Sequence, residues 1–270
     1  MRQILFPPTL GFSILLLTGA LDRQTLFSNP AAEEAFVPQS ATFGAGRLLD
    51  EVLAAFSPER IQWLEMTVRQ KMWGDDPFEA VGRYVLGTQQ RLRLEMDISV
   101  EGKTTKVLAV SDGRSFQKSQ QIDGVKTILE RCRLGKEEKG VDAVSLTWAR
   151  QKFLDQRGYG GLVPLLRQIS DCLVNPCQQV GVWHERRVIR VHGFWNAAEA
   201  VLNTLPENLR ARSCSLYLDP DTLWPHRIEW LGSDKPGDHQ VILLEMEFSE
   251  PAINQPLSAA ACARMFTIHN

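Results

Sequence analysis

The feature of this sequence that most constrains its fold is an uninterrupted alternation of polar and apolar side chains from Arg91 to Val100. Five apolar residues alternate with five polar residues in this segment. A period of two places successive side chains on opposite faces of a β-strand, with one face buried and the other hydrated. A shorter alternation over residues 63–68 has the same character. The chain is therefore predicted to build a sheet with one wet face.

Turn signals follow this segment at equal spacing, at Glu101-Gly102, Asp112-Gly113 and Asp123-Gly124. Asp-Gly is a favoured pair for a two-residue hairpin, because both central residues need a positive φ. The three glycines therefore predict a meander of consecutive strands, each about eight residues long.

Further strands are predicted at residues 188–195, 213–218, 226–231 and 241–248. The last two are joined by the short loop 232–238, so they are predicted to be neighbours in the sheet. About nine or ten strands result, and their short connections favour antiparallel pairing, since parallel pairing needs long crossovers.

Helices are predicted where the apolar spacing changes. Residues 48–56 carry an amphipathic stripe that ends at Ser57-Pro58, and residues 144–154 and 162–173 read as two more helices. Residues 196–205 are predicted to form a short helix or a turn. The fold class is therefore mainly antiparallel β with about three helices (α+β).

The N-terminus predicts export. Arg2 precedes an apolar run, residues 4–20, that ends in small residues, and residues 1–20 are predicted to be a signal peptide. An uncleaved inner-membrane anchor is the alternative. Residues 21–42 show no periodicity and are predicted to be a flexible linker, followed by a single domain over residues 43–270. The predicted location is periplasmic or otherwise extracytoplasmic.

The charge balance argues against a nucleic-acid partner. The formal net charge is −2, and removal of residues 1–20 takes away one arginine and brings it to −3. Proteins that bind nucleic acid carry basic patches that give an electrostatic footprint, and this sequence has none.

Five cysteines are too few for a disulfide scaffold, although an extracytoplasmic location permits one or two bridges. Cys172 and Cys177 are the disulfide candidate, because Asn175-Pro176 is predicted to end the helix between them and let the chain turn back. A zinc site is not predicted, since no second close pair of Cys or His accompanies them.

The motifs of common enzyme families are absent, so no catalytic residue, metal or cofactor is predicted. His184 and His192 are predicted to lie on or near one strand, about 26 Å apart at strand rise, which is too far for one metal ion. Glu245 and Glu247 share a strand face; they could serve glycoside hydrolysis, but a solvated face explains them more simply. A cell-envelope hydrolase remains the least favoured alternative.

The C-terminal third resembles the Lol-type periplasmic lipoprotein carriers, the lipoprotein-sorting superfamily. Leu218–Pro220 followed by Leu223–Trp230 resembles that family's "strand, Asp-Pro-x-x-x-x-Pro, strand" segment. Ile253–Leu257 and Met265–Ile268 resemble its "Asn-x-Pro-hydrophobic … Phe-x-Phe" segment, with Ile268 in place of the second Phe. The resemblance implies an incomplete, curved antiparallel β-barrel, a half-barrel whose concave side is covered by helices. Members carry lipoprotein acyl chains or related lipids in that cavity, or sense them.

A lipid or lipoprotein acyl chain in an apolar cavity is therefore the predicted ligand, and a membrane or envelope protein is a further predicted partner. The alternative is a non-transporting envelope sensor or interaction module on the same fold, with a filled core. A one-sided sheet exposes an apolar face that three short helices need not fill completely. The predicted lining is Leu64, Met66, Leu94, Met96, Ile98, Leu216, Trp230, Leu244 and Met246.

Overall fold

A computed structural model describes residues 37–43, 45–57, 59–73, 77–100, 103–134, 161–196, 211–233, 240–255 and 258–268. Within them lie three helices: α1 (Gly46–Ala55), α2 (Leu162–Cys172) and α3 (Ala259–Met265). The strands in these ranges are β1 (Val37–Phe43), β2 (Leu64–Met72), β3 (Phe78–Leu86), β4 (Arg91–Val100), β5 (Lys103–Asp112), β6 (Ser115–Ile122), β7 (Val125–Arg133), β8 (Leu173–Trp183), β9 (Arg186–Trp195), β10 (Ser213–Leu218), β11 (Pro225–Ser233) and β12 (Gln240–Ile253).

All twelve strands belong to one sheet, in the order β1-β8-β9-β10-β11-β12-β2-β3-β4-β5-β6-β7. Every described pair is antiparallel, and most pairs are neighbours along the chain. Among the residues that the structure describes, β1 and β7 form the two ends of the sheet and do not pair with each other. The predicted fold class, an open antiparallel half-barrel with helices, is confirmed.

The predicted meander is confirmed for β4 through β7. At the β6–β7 turn, Asp123 and Gly124 have φ values of 49° and 81°, as a two-residue hairpin requires. At the β5–β6 turn, the Asp112 carboxylate accepts hydrogen bonds from the amides of Arg114 and Ser115 at 2.7 and 2.6 Å. The turn between β4 and β5 lies outside the described residues.

The structure adds elements that the sequence did not predict, namely β1, β3, β8 and α3. Strand β1 lies mostly within the segment predicted to be a linker, where pairing with β8 satisfies its backbone groups. Strand β8 contains Pro176, which argues against a strand, but a bulge between Val174 and Cys177 accommodates it.

Several predicted segments lie outside the described part of the chain. They are the signal peptide, most of the linker, the helix at residues 144–154 and most of the segment 196–205. The other predicted helices and strands are present, β4 and β10 with the predicted bounds and the rest with shifted ends.

Two helices cover one face of the sheet, which we call the inner face. Leu49 and Val52 of α1 are buried, as are Leu162, Leu165 and Ile169 of α2. These side chains join the main hydrophobic core together with apolar residues of the strands. The inner face is therefore the core side of the molecule.

Helix α3 lies against the opposite face, the outer face. Phe266, at the end of α3, packs edge-on against Trp63 with 5.9 Å between ring centroids, and both cover Val85 of β3. The main-chain carbonyl of Met265 accepts a hydrogen bond from Arg93 at 3.0 Å. In the described residues, no helix is both long enough and apolar enough to cross a membrane.

Candidate functional site

All nine residues predicted to line a cavity lie on the inner face and are buried. Their exposed fractions range from 0 to 8 %, and they belong to a single hydrophobic cluster. The set is Leu64, Met66, Leu94, Met96, Ile98, Leu216, Trp230, Leu244 and Met246. The structure thus brings these side chains together on one continuous surface.

Strand register explains how residues distant in sequence reach this surface. Leu216 of β10 lies opposite Ile228 of β11, which lies opposite Met246 of β12. Met246 in turn lies opposite Gln70 of β2, so the row crosses the junction between the two halves of the sheet. Directly opposed residues share a face, and the period of two carries the same face along each strand.

The described helices are small compared with this surface. Helices α1 and α2 have 10 and 11 residues, so each is about 15–17 Å long. Side by side they cover a strip roughly 20 Å wide, whereas twelve strands at about 4.8 Å spacing extend for roughly 55 Å around the curve. Much of the inner face therefore lies outside the reach of these two helices.

The outer face holds a buried charged group, the Arg227 cluster, formed by Tyr217, Arg227, Glu229, Glu245 and Glu247. Arg227 is only 2 % exposed. Its guanidinium contacts Glu229 and Glu245 at 2.8 Å each and Glu247 at 3.5 Å. Tyr217 donates a hydrogen bond to Glu229 at 3.0 Å. The cluster links β10, β11 and β12 through their side chains.

The prediction that Glu245 and Glu247 form a solvated face is wrong for Glu245, which is 3 % exposed. Both carboxylates are ion-paired with Arg227 instead. Apolar side chains also cover the cluster: Arg227 lies 5.4 Å from the centre of the Trp183 ring, and Trp183 packs with Tyr217.

The same environment shifts the pKa values of neighbouring groups. Burial, followed by the charge of Glu229, raises the pKa of the Tyr217 phenol and of the Cys214 thiol. Both groups therefore stay protonated at neutral pH, and Cys214 is not a reactive thiolate.

The histidines are separate from one another. His184 lies in the β8–β9 turn and is exposed, whereas His192 is half-buried on the outer face, with Nδ1 3.0 Å from the Ser215 hydroxyl. Burial, and then the charge of Arg190, lowers the pKa of His192. Among the described residues, no group of three His, Cys, Asp or Glu side chains could hold a metal ion.

A groove of about 590 Å³ runs along the outer face of β2 to β6. Its walls include Arg83, Glu95, Asp97 and Lys106. These charges pair locally: Lys106 lies 3.9 Å from Asp97, and Arg83 donates to Glu65 at 2.7 Å. Exposed, mutually paired charges are typical of a solvated surface, so the groove is a weaker candidate site than the inner face.

The predicted disulfide pair is not joined in the structure, where the five cysteines are thiols. Cys172 ends α2 and belongs to the inner core. Cys177 lies beyond the β8 bulge, directly opposite His192 of the outer face. The bridge stays a prediction, which thiol alkylation and mass measurement would test.

The segments that carry the family resemblance form two local clamps. Asp219 accepts hydrogen bonds from the amides of Asp221 and Thr222 at 3.0 and 2.8 Å, which shapes the turn into β11. Asn254 has a φ of 51°, and its side-chain oxygen accepts from the amides of Gln62 and Trp63 at 2.8 and 3.1 Å. These residues support the fold, since they bind main chain.

Sequence reasoning missed the Arg227 cluster, although a signal for it exists. Arg227 and Glu229 alternate with apolar residues on one predicted strand, and Glu245 and Glu247 do so on the next. Opposite charges on neighbouring strands of a predicted hairpin indicate cross-strand ion pairs. The sequence pattern does not indicate, however, that these ion pairs are buried.

No family model matches the sequence, and no curated protein matches it. Among solved structures, LprF from Mycobacterium bovis matches at 16% identity and a TM-score of 0.43, covering 79% of this chain and 94% of that one. An outer membrane lipoprotein-sorting protein domain from Vibrio parahaemolyticus matches at 8% identity and a TM-score of 0.34, covering 81% and 96%. A LolA superfamily protein from Nitrosomonas europaea matches at 10% identity and a TM-score of 0.27, covering 84% and 99%.

These likenesses concern the fold alone, and at such TM-scores they carry no argument about ligand or partner. The LolA-like architecture predicted from the sequence, an open antiparallel sheet with helices on its inner face, rests on the strand order itself.

Proposed function

We propose that this protein binds the acyl chain of a lipid or lipoprotein on the inner face of its sheet, outside the cytoplasm, and that it is not an enzyme. The observation that carries the proposal is the extent of the continuous apolar inner face compared with the two short helices that pack on it in the described part of the chain. Its side chains are buried against one another and their neighbours, so an acyl chain would bind by replacing part of this packing with its own apolar surface.

The energetics are favourable for such a ligand. Burying a chain of about fifteen methylenes contributes on the order of 12 kcal/mol before the ordering costs of binding are subtracted. Both covering helices are attached to the β1–β8 end of the sheet: α1 follows β1 closely, and α2 runs directly into β8 at Leu173.

Two measurements test the proposal. Native mass spectrometry of the protein purified from its own host is expected to show a retained lipid, and a fluorescent fatty acid is expected to bind saturably and to be displaced by unlabelled lipid. Absence of both retained lipid and saturable binding refutes the proposal.

A matched pair of variants locates the binding face. Ile98→Gln places an amide on the inner face, whereas Val81→Gln makes the same kind of change on the outer face, where Val81 is 37 % exposed. The first is expected to weaken probe binding at least tenfold and the second to leave it unchanged, in samples shown by circular dichroism to be folded. Equal effects would contradict binding on the inner face.

A second candidate function, an envelope interaction module, is favoured by strand β7. Among the described strands it lies at one end of the sheet, and Val125, Ile128 and Leu129 on it are 68, 46 and 42 % exposed. An exposed apolar edge strand is a template for pairing with an added strand. Strand β7 carries three basic residues and one acidic residue, so its charge favours an extended acidic segment of another protein. Binding of a labelled peptide of alternating Glu and Val, weakened by salt and by Ile128→Glu, would support this function. Lack of binding at low salt would refute it.

A further inference from the structure

Three buried side chains on the inner face, Gln70, Trp195 and Trp230, carry hydrogen-bond donors that have no acceptor among the described residues, and two of them, Gln70 and Trp230, lie close together. Gln70 of β2 is 5 % exposed and Trp230 of β11 is 3 % exposed. Within the part of the chain that the structure describes, neither the Gln70 amide nitrogen nor the Trp230 indole nitrogen has a hydrogen-bond partner. More than nine-tenths of buried polar groups in proteins are paired, so two such donors on one surface require an explanation.

The two donors flank the same strand. Gln70 lies opposite Met246 of β12, and Trp230 lies opposite Leu244, two residues away on that strand and on the same face. Strands β2 and β11 are thus about 10 Å apart across β12, with an offset of about 7 Å along it. Both side chains project from the inner face on either side of β12, within reach of one ligand.

The chemistry of the surroundings selects the acceptor. Water in a buried site needs two to four polar partners, and the residues between the donors, Leu244 and Met246, are apolar. A saturated hydrocarbon has no acceptor to offer. An ionised carboxylate would need a counter-charge, but the charged residues of these three strands, such as Arg69, Arg227 and Glu245, alternate onto the outer face. A neutral ester or amide carbonyl fits all of these conditions.

We propose that Gln70 and Trp230 donate hydrogen bonds to the carbonyl oxygens of an ester- or amide-linked acyl ligand held on the inner face. The inference rests on the proposed function and adds to it the chemical class of the ligand. The site favours acylated molecules over hydrocarbons, because only acylated molecules bring a neutral acceptor with the chain.

The test compares ligands that differ in the carbonyl alone. Monopalmitoylglycerol (an ester), hexadecylglycerol (the matching ether) and an N-palmitoyl dipeptide amide are titrated as competitors of a fluorescent fatty-acid probe on the full chain. The ester or the amide is expected to compete roughly tenfold or more better than the ether, as for one or two net hydrogen bonds. A stronger ester indicates a glycerolipid as the source of the carbonyl, and a stronger amide indicates an N-acylated polypeptide.

Variants assign the preference to these two side chains. Gln70→Leu and Trp230→Phe are expected to bring the ester-to-ether ratio close to one. Trp183→Phe is the matched control, because Trp183 is also a buried indole without an acceptor among the described residues but lies on the outer face. It is expected to retain the preference.

The outcomes separate the two proposals. If none of the three competitors displaces the probe, the proposed function fails. If all three bind equally to the parent protein, the function stands and the carbonyl site is refuted. Gln70→Leu adds an independent readout. Without ligand, this variant should unfold at the same or a higher temperature than the parent, because it removes a buried amide that has no acceptor among the described residues. Marked destabilisation would show that Gln70 supports the fold instead.

Discussion

Replacing Arg227 with methionine is expected to destabilise the folded protein by about 3–5 kcal/mol. The guanidinium is 2 % exposed and contacts Glu229 and Glu245 at 2.8 Å, and both carboxylates are themselves buried. Methionine fills a similar volume but removes the guanidinium that pairs with both buried carboxylates. For a domain of this size, each kcal/mol corresponds to about 2–4 °C, so the melting temperature should fall by roughly 10 °C.

The matched control is Arg83→Met. Arg83 is also an outer-face arginine bonded to a glutamate, with 2.7 Å between its Nε and Glu65, but its side chain is 43 % exposed. Solvent screening limits such a pair to about 0–1 kcal/mol. The two residues therefore share chemistry and differ in burial.

Urea or thermal unfolding monitored by circular dichroism measures both variants. A triple variant, Arg227→Met with Glu229→Gln and Glu245→Gln, is expected to recover much of the loss, because it also removes the two buried negative charges. The reasoning is refuted if Arg227→Met costs no more than Arg83→Met, or if the added glutamines recover nothing.

Three further variants test other parts of the structure. Gly82→Ala should lower the free energy of unfolding by about 3 kcal/mol, because a Cβ there collides with the carbonyl oxygen of Glu95. The control is Gly46→Ala in α1, where a Cβ meets no atom and the change should be neutral or stabilising. Equal melting temperatures of the two variants would contradict the close approach of β3 and β4. Burial lowers the folded-state pKa of His192. The stability that this histidine contributes is therefore present above its unfolded-state pKa near 6.5 and is lost as pH falls through the lower folded-state pKa. His192→Asn should flatten the pH dependence of unfolding across that window, and an unchanged pH dependence would contradict this prediction. Asn254→Ala should lower the free energy of unfolding in urea by about 2 kcal/mol, because it removes the acceptor of the Gln62 and Trp63 amides and places alanine at a positive φ. A loss below about 0.5 kcal/mol would show that Asn254 does not hold this junction.

Local patterns in the sequence determined the faces of individual strands. Leu94 and Met96 point inward because the period of two is a property of the extended backbone, whatever the strand packs against. The β4–β7 meander was likewise predictable, since Asp112-Gly113 and Asp123-Gly124 specify turns that bring consecutive strands together. The family resemblance of two C-terminal segments, Leu218–Trp230 and Ile253–Ile268, led to the open half-barrel.

Only the tertiary structure decided which distant strands meet. The pairing of β12 with β2 joins residues such as Phe248 and Val68, and the pairing of β1 with β8 joins Phe43 and Cys177. No turn encodes these contacts, because backbone hydrogen bonds are the same for every partner and the choice is made by burying all the inner faces together.

Burial was also decided at this level. A glutamate that alternates with apolar residues predicts a hydrated position, yet Glu245 is buried because Arg227 and Trp183 approach from neighbouring strands. In the same way, Gln70 and Trp230 are unremarkable in sequence, and they come close together because β12 pairs with both of their strands. Sequence period sets the direction of a side chain, whereas its surroundings depend on residues far away along the chain.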